Sequence, residues 1–290
     1  MNILLSGASG FVGAHLRQTL EARGHQVASL GRGSNSDFNW SEESLRAGVA
    51  SVDGIVHLAG ENLFARRWSA AQKEVLRKSR IETTARLANL AAELKKDFLI
   101  QASAVGYYGP SAAPGLTEEA PPADDFVAQL CVDWEAANQP ARDAGVRVAW
   151  VRTGVVLGVE GGALQRMLTP FKLGLGGPIG NGKQGFPWIH VQDLANLFCF
   201  LVETPGSSGA YNGTAPGGLS MGAFAKCLGR VLKRPAILPV PGFALRILLG
   251  EAACILTTGQ LPIPERAQQA GFVFEHPEVE PALRELLGKP

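Results

Sequence analysis

Residues 1–13 read MNILLSGASGFVG. Asn2 to Ser6 is a short apolar run of strand type, followed directly by Gly7, Ala8, Ser9, Gly10, Phe11, Val12 and Gly13. Val12, Leu16 and Leu20 then recur at helical spacing, with Arg17 and Glu21 on another face, until Gly24 ends the pattern. His25 to Leu30 reads as a second strand. Strand, glycine turn, helix, strand is the context that gives G-x-x-G-x-x-G a mechanism. Gly7 permits the tight turn, and Gly10 lets the main chain approach a pyrophosphate. Gly13 lets the helix pack close to the strand, with its N-terminus toward the phosphates. Gly7, Ser9, Gly10, Phe11, Val12 and Gly13 are therefore the candidate dinucleotide contacts of this turn.

Outward from the turn, strand-like Gly54–Leu58, Phe98–Ser103 and Arg147–Val151 alternate with helical 11–23, 70–95 and 126–144. Such alternation argues for βαβ units, an α/β class and a parallel sheet. Ligands of such sheets sit beyond the carboxyl ends of the strands. The second strand ends in Gly31, Arg32 and Gly33 where a ribose-binding acid is expected, and the first acid is Asp37. Arg32 can pair with a 2′-phosphate, which favours NADP over NAD. The third strand ends in Leu58, Ala59 and Gly60, a small-residue turn suited to the adenine or ribose. His57, inside that strand, reads as a packed core histidine.

Glycine is the outlier of the composition, at 35 of 290 residues, and ten glycines lie between Gly154 and Gly185. Charged residues make up 18% and hydrophobic residues 46%, which argues against disorder. The net charge of +1 and the absence of a basic stripe offer nothing to nucleic acid. Cys131, Cys199, Cys227 and Cys254 are too dispersed for a CxxC site and fit a reducing cytoplasm. The N-terminus has no secretory pattern. The apolar stretch Gly242 to Gly259 contains Arg246 and Glu251; it is too short and charged to span a bilayer and reads as a buried helix. No membrane partner is expected.

GASGFVG, HLAG and VRTGVVLG together resemble the extended short-chain dehydrogenase/reductase family of nucleotide-sugar epimerase type. RWSAAQKEVLRKSRIETT, SAVGYYG, LCVDWE, FKLGLGGPIGNGKQGFPWIHVQDL and RPAILPVPGFALRILLGE narrow the likeness to an atypical "epimerase family" subgroup with a C-terminal domain of unknown function. The resemblance spans the chain. It implies a Rossmann-type doubly wound parallel sheet with a smaller C-terminal substrate lobe. The expected division is a nucleotide-binding domain over 1–160 and a mainly substrate-binding part over 161–290, with a strand and helix near 188–204 packing back on the first.

Redox members of the family carry a Ser, a Tyr-x-x-x-Lys and an Asn. Here Ser103 matches the serine, but Val127 stands at the tyrosine position, Cys131 at the lysine and Arg80 at the asparagine. Valine transfers no proton and a thiol carries no positive charge. Tyr107 or Tyr108 is the candidate substitute acid or, equally, a wall residue contacting substrate or nicotinamide; Arg80 is a source of positive field beside the cofactor, Ser103 a contact to the reacting oxygen or cofactor, and Cys131 a further candidate. His190 is expected to tie the lobes together and Asp193 to cap a helix over 194–202. The stretch Leu168 to Trp188 reads as a long ligand-wrapping loop, in which Lys172 and Lys183, with Arg152 and Arg166, can meet an anion or stand as solvated surface cations, and Trp188 can stack on a ring or, equally, serve as a packed anchor. The expectation is an NADP-binding oxidoreductase or epimerase-like protein for a small polar carbonyl or hydroxyl substrate, a homodimer being possible. The alternative is a non-catalytic NADP-binding sensor or partner-binding protein.

Overall fold

The computed structural model describes residues 1–111 and 113–289. Six strands form one parallel sheet: β1 (Asn2–Ser6), β2 (Gln26–Leu30), β3 (Gly54–His57), β4 (Phe98–Ala104), β5 (Arg147–Thr153) and β6 (Gly209–Gly213). Their order across the sheet is β6-β5-β4-β3-β1-β2. The chain runs outward from β1 to β2 and then crosses to β3, so the topological switch point lies between β1 and β3. A doubly wound sheet opens its ligand crevice there. β1, β3 and the first half of β4 are buried on both faces, as near-continuous apolar runs such as ILL and GIV require.

The helices are α1 (Phe11–Ala22), α2 (Glu42–Ala50), α3 (Ala70–Glu93), α4 (Phe126–Ala136), α5 (Gln139–Asp143), α6 (Gly162–Lys172), α7 (Val191–Glu203) and α8 (Met221–Leu232). Further on come α9 (Gly242–Leu249), α10 (Glu265–Gln269) and α11 (Val279–Leu286). α2 and β6 carry too little periodicity to be read from sequence. The single helix expected over 126–144 is two helices. Pro140 brings no N–H to continue the ladder, and Asn138 turns its side chain onto the Glu135 carbonyl.

One core packs Leu16 and Leu20 of α1 and Ile3, Leu5, Val56 and Ile100 of the sheet against Leu194, Leu197, Phe198 and Leu201 of α7. Phe272 and Phe274 join the same core. α7, within the expected returning segment near 188–204, packs on the nucleotide-binding half, and β6 and the Phe272–Phe274 turn, both beyond residue 160, pack there as well. A second core, built from Leu164, Leu168, Phe171, Trp188, Phe224, Leu228 and Leu283, forms the smaller lobe.

The second glycine cluster is largely a packing device. Cβ atoms at Gly158 and Gly161 would lie 2.5 and 2.7 Å from the Phe11 ring, and one at Gly177 would lie 2.1 Å from the Leu238 carbonyl oxygen. Of the expected ligand-wrapping loop Leu168 to Trp188, the residues up to Lys172 belong to α6, and Gly177 and Gly185 are laid against Leu238 and Gln260 of the C-terminal segment. Trp188 is fully buried and donates Nε1–H to the Gly217 carbonyl, so it is a packed anchor and presents no face for stacking. Asp193 does not cap α7. His190 Nδ1 accepts from the Gln192 N–H at the helix start, while the buried Asp193 carboxylate accepts from the N–H groups of Glu275 and His276. His190 Nε2 lies 3.1 Å from Glu285 of α11, joining α7 to the C-terminal lobe.

Candidate active site

The crevice begins where β1 enters α1. Gly7 has φ +77°, a conformation that β-carbon-bearing residues rarely adopt. A Cβ at Gly13 would lie 2.1 Å from the Gly7 carbonyl oxygen, so only glycine lets the helix start so close to the turn. α2, α3 and α4 are capped by the side chains of Ser41, Ser69 and Asp125. The N-cap of α1 is Gly10, which brings no capping group. The first-turn N–H groups of α1 are left to an anion, the arrangement that takes a pyrophosphate. On the other side of the switch point, the Ala59 nitrogen and Leu58 carbonyl carbon would lie 3.0 and 3.1 Å from a Cβ at Gly7. Leu58, Ala59 and Gly60 thus form the facing wall.

Arg32 projects from the end of β2 with its side chain 85% exposed and 3.8 Å from Glu61. Asp37 is turned away from any ribose: its Oδ2 accepts from the Ser29 N–H and hydroxyl, both at 2.7 Å, and these bonds hold its carboxyl below the usual range. The position that reads an unphosphorylated ribose has no free acid, and an arginine stands beside it.

At the far end of β4 the geometry departs from the sequence expectation. Ser103 Oγ donates to Glu135 Oε1 at 2.6 Å. Arg152 holds the same carboxylate with two further bonds of 2.9 Å, Nε to Oε1 and Nη2 to Oε2. Its Nη1 donates to the Tyr108 hydroxyl at 3.0 Å and to the Glu118 carbonyl. The Tyr108 hydroxyl donates in turn to Asn212 Oδ1 at 2.7 Å, and the Asn212 N–H donates to Glu118 Oε1. All six residues are buried. Arg152 is consequently no anion site for a ligand. Its guanidinium is held charged by Glu135 against the burial that opposes it.

Three expected roles change. Ser103 spends its proton on Glu135 and has none to give a substrate oxygen in this arrangement. Burial pushes Tyr108 up to about 12, and its proton is already placed on Asn212, which makes it a poor acid near neutrality. Burial also pushes the Cys131 thiol up to about 12, so Cys131 packs as an uncharged small side chain. Tyr107 differs. It is half-buried, and the Arg152 guanidinium lies over its ring face, 3.4 Å from the centroid.

Arg80 reaches from α3 to Gly60: its Cζ would be 3.3 Å from a Cβ there. It is buried, over the Trp134 ring, and donates to the carbonyls of Glu61 and Leu76 rather than to a carboxylate. Burial pulls its pKa down from the ordinary arginine value. Val127 packs at Gly106 beside Cys131, so the two α4 positions that carry tyrosine and lysine in the family present neither a phenol nor an ammonium group. His57 is fully buried, 2.5 Å from the Ser6 hydroxyl, as expected of a core residue. Lys172, Lys183 and Arg166 are exposed at the surface of the other lobe.

Sequence reasoning missed Glu135, Glu118 and Asn212. One signal for Glu135 was available: it falls four residues after Cys131 and seven after Ala128, on the inward stripe of α4. A carboxylate on such a stripe needs a buried cation.

Residues 3–212 match the NAD dependent epimerase/dehydratase family, and residues 240–286 match a domain of unknown function (DUF1731). The chain is similar to the epimerase family protein SDR39U1 of Bos taurus, at 42% identity over 99% of this chain and all of that protein. Among solved structures, human epimerase family protein SDR39U1 (isoform 2) with NADPH superimposes with a TM-score of 0.94 and 37% identity, covering 100% of both chains. A UDP-glucose 4-epimerase from Thermotoga maritima shares the fold, with a TM-score of 0.79 at 17% identity, over 99% of each chain.

Proposed function

From a chain that belongs to the NAD dependent epimerase/dehydratase family, we propose an NADPH-binding enzyme that reduces or epimerises a carbonyl or carbinol of a small polar substrate. The observation that carries the reading is the uncapped α1 N-terminus facing Ala59, with Arg32 replacing a ribose acid and Asp37 locked onto Ser29. The NADPH in the human relative's structure supports it. The N–H groups of Phe11 and Val12 would hold the pyrophosphate, Leu58 to Gly60 the adenosine side, and Arg32 the 2′-phosphate. When bound, NADPH supplies a hydride to a carbonyl carbon, and NADP⁺ takes one from a carbinol.

Tyr107 is the residue left to move the proton. It gives its hydroxyl proton to the oxygen that gains electrons, and Arg152 over its ring face meets the negative charge that develops on the phenol. Arg80 adds positive field from the Gly60 side. The test follows NADPH consumption across a panel of carbonyl compounds and nucleotide sugars. Turnover lost in Tyr107→Phe with NADPH affinity intact is the expected result; no turnover by the native protein on any substrate would remove the enzymatic reading.

One observation favours a second reading. With Val127 and Cys131 in place of tyrosine and lysine and Ser103 tied to Glu135, the usual machinery is absent. A non-catalytic NADP(H) sensor then predicts that NADPH changes the association or shape of the protein. Scattering profiles unchanged by NADPH would dispose of it.

A further inference from the structure

Of the stretch Gly242 to Gly259, expected as a buried helix, only Ala252 and Ala253 are buried, and its first half is corrected by the structure. α9 has no buried residue, and Phe243, Ile247 and Leu248 are 69%, 71% and 69% exposed. No residue from Ile237 to Leu248 is buried. Ile237 (76% exposed), Leu238 and Val240 lead into the helix, and Leu173 and Leu175 are exposed alongside. The two segments are joined through their backbones, Leu238 N–H to the Gly176 carbonyl and Val240 N–H to the Pro178 carbonyl. They are therefore one surface. Eight of the eleven large exposed hydrophobic side chains among the described residues belong to it.

The charge of this region is as one-sided as its apolarity. From Thr204 to Gly250 there is no Asp or Glu, while Lys226, Arg230, Lys233, Arg234 and Arg246 are all present. Lys226, Arg230, Lys233 and Arg234 line an open groove with Ile237, so cations and apolar side chains share a face. Arg230 is paired with Glu280 of α11; the region offers the others no acid of its own. The net charge of the whole chain is only +1, so this is a local concentration.

A contiguous exposed apolar surface requires an occupant. A second copy fits badly, because a two-fold interface would set these cations against themselves. A pocket-seeking protein segment fits badly too, because Phe243, Ile247 and Leu248 stand out from a helix and do not line the two grooves beside Lys226. Large apolar side chains projecting from a short helix, with lysine and arginine beside them, suit the headgroup–acyl boundary of an anionic bilayer.

We propose that this face docks on an anionic lipid surface. Phe243, Ile247, Leu248 and Ile237 enter the boundary, and Lys226, Lys233, Arg234 and Arg246 meet headgroup phosphates. Among the described residues no helix is long and apolar enough to cross a membrane, so the proposed attachment is peripheral.

The test is co-sedimentation of the full chain with phosphatidylcholine vesicles, with and without phosphatidylglycerol. The native protein is expected to pellet with the anionic vesicles only and to be released by salt. Lys233→Glu with Arg234→Glu should weaken binding roughly ten-fold or more, since each cation near the surface carries about one factor of five. Phe243→Ser with Ile247→Ser should weaken it comparably. Both pairs are exposed, so unchanged circular dichroism is expected of both. Failure to pellet with anionic vesicles overturns the proposal, as does equal binding to neutral ones. A stable dimer in light scattering that Phe243→Ser with Ile247→Ser dissolves would also overturn it, by showing that a second copy covers the face.

Discussion

Ser103 Oγ lies 2.6 Å from Glu135 Oε1 and gives its hydrogen to that carboxylate, which Arg152 clasps with two bonds of 2.9 Å. The serine that the family points at a substrate here completes a buried ion pair. Ser103→Ala should therefore act first on stability. A hydrogen bond to a charged group contributes about 1.5–3 kcal/mol, and urea unfolding should show a loss of that size. Unchanged stability with abolished turnover would return Ser103 to the substrate.

The pair itself gives a second prediction. Arg152→Met leaves the Glu135 carboxylate buried without its cation and should cost about 3–5 kcal/mol. Combining it with Glu135→Gln removes the orphaned charge, and part of the loss should return. Chemical denaturation of the two single variants and the double variant checks this. Simple additivity would mean that the carboxylate and guanidinium are not coupled.

The nucleotide turn gives a third. A β-carbon at residue 13 meets the Gly7 carbonyl oxygen at 2.1 Å, and backbone cannot step aside as a flexible side chain can. Gly13→Ala should destabilise the fold by about 1–3 kcal/mol through overpacking and abolish NADPH binding in titration calorimetry. Native-like affinity in that variant would place the dinucleotide elsewhere.

Arg32 sets the expected preference between cofactors. Arg32→Ala should lower affinity for NADPH about ten-fold, near the low end for one charged hydrogen bond, and leave NADH unchanged. Equal losses for both cofactors would show that Arg32 does not read the 2′-phosphate.

His57 predicts a pH dependence. Full burial, aided by Arg80, pulls its pKa from 6.5 down to about 3. The unfolded chain therefore takes up this proton first as pH falls. The stability contributed by neutral His57 is complete above about pH 6.5 and drains toward pH 3, by about 1.4 kcal/mol per pH unit. His190, whose pKa burial also lowers, adds a contribution of the same sign. Urea midpoints measured from pH 7 to pH 5 should fall, and His57→Asn should flatten the slope even though it lowers the starting stability. A variant with the native slope would remove His57 as the cause.

The sequence by itself determined the nucleotide turn and five of the six strands of the sheet that carries it. Gly7, Gly10 and Gly13 act within seven residues, and what they provide is local: a positive φ at Gly7 and an open space at Gly13. The buried strands follow from their apolar runs, and Arg32 is conspicuous where an acid is expected. What only the tertiary structure decided is the fate of the polar side chains and of α9. Ser103, Tyr108, Glu118, Glu135, Arg152 and Asn212 come from five separate stretches of chain, up to 104 residues apart across a single hydrogen bond. None of them announces its partner, because a hydrogen bond in a core is set by which strands and helices meet. GFALRILL looks like core in sequence for the same reason. Its apolarity is intrinsic, but burial depends on a neighbour, and among the described residues nothing buries Phe243, Ile247 or Leu248.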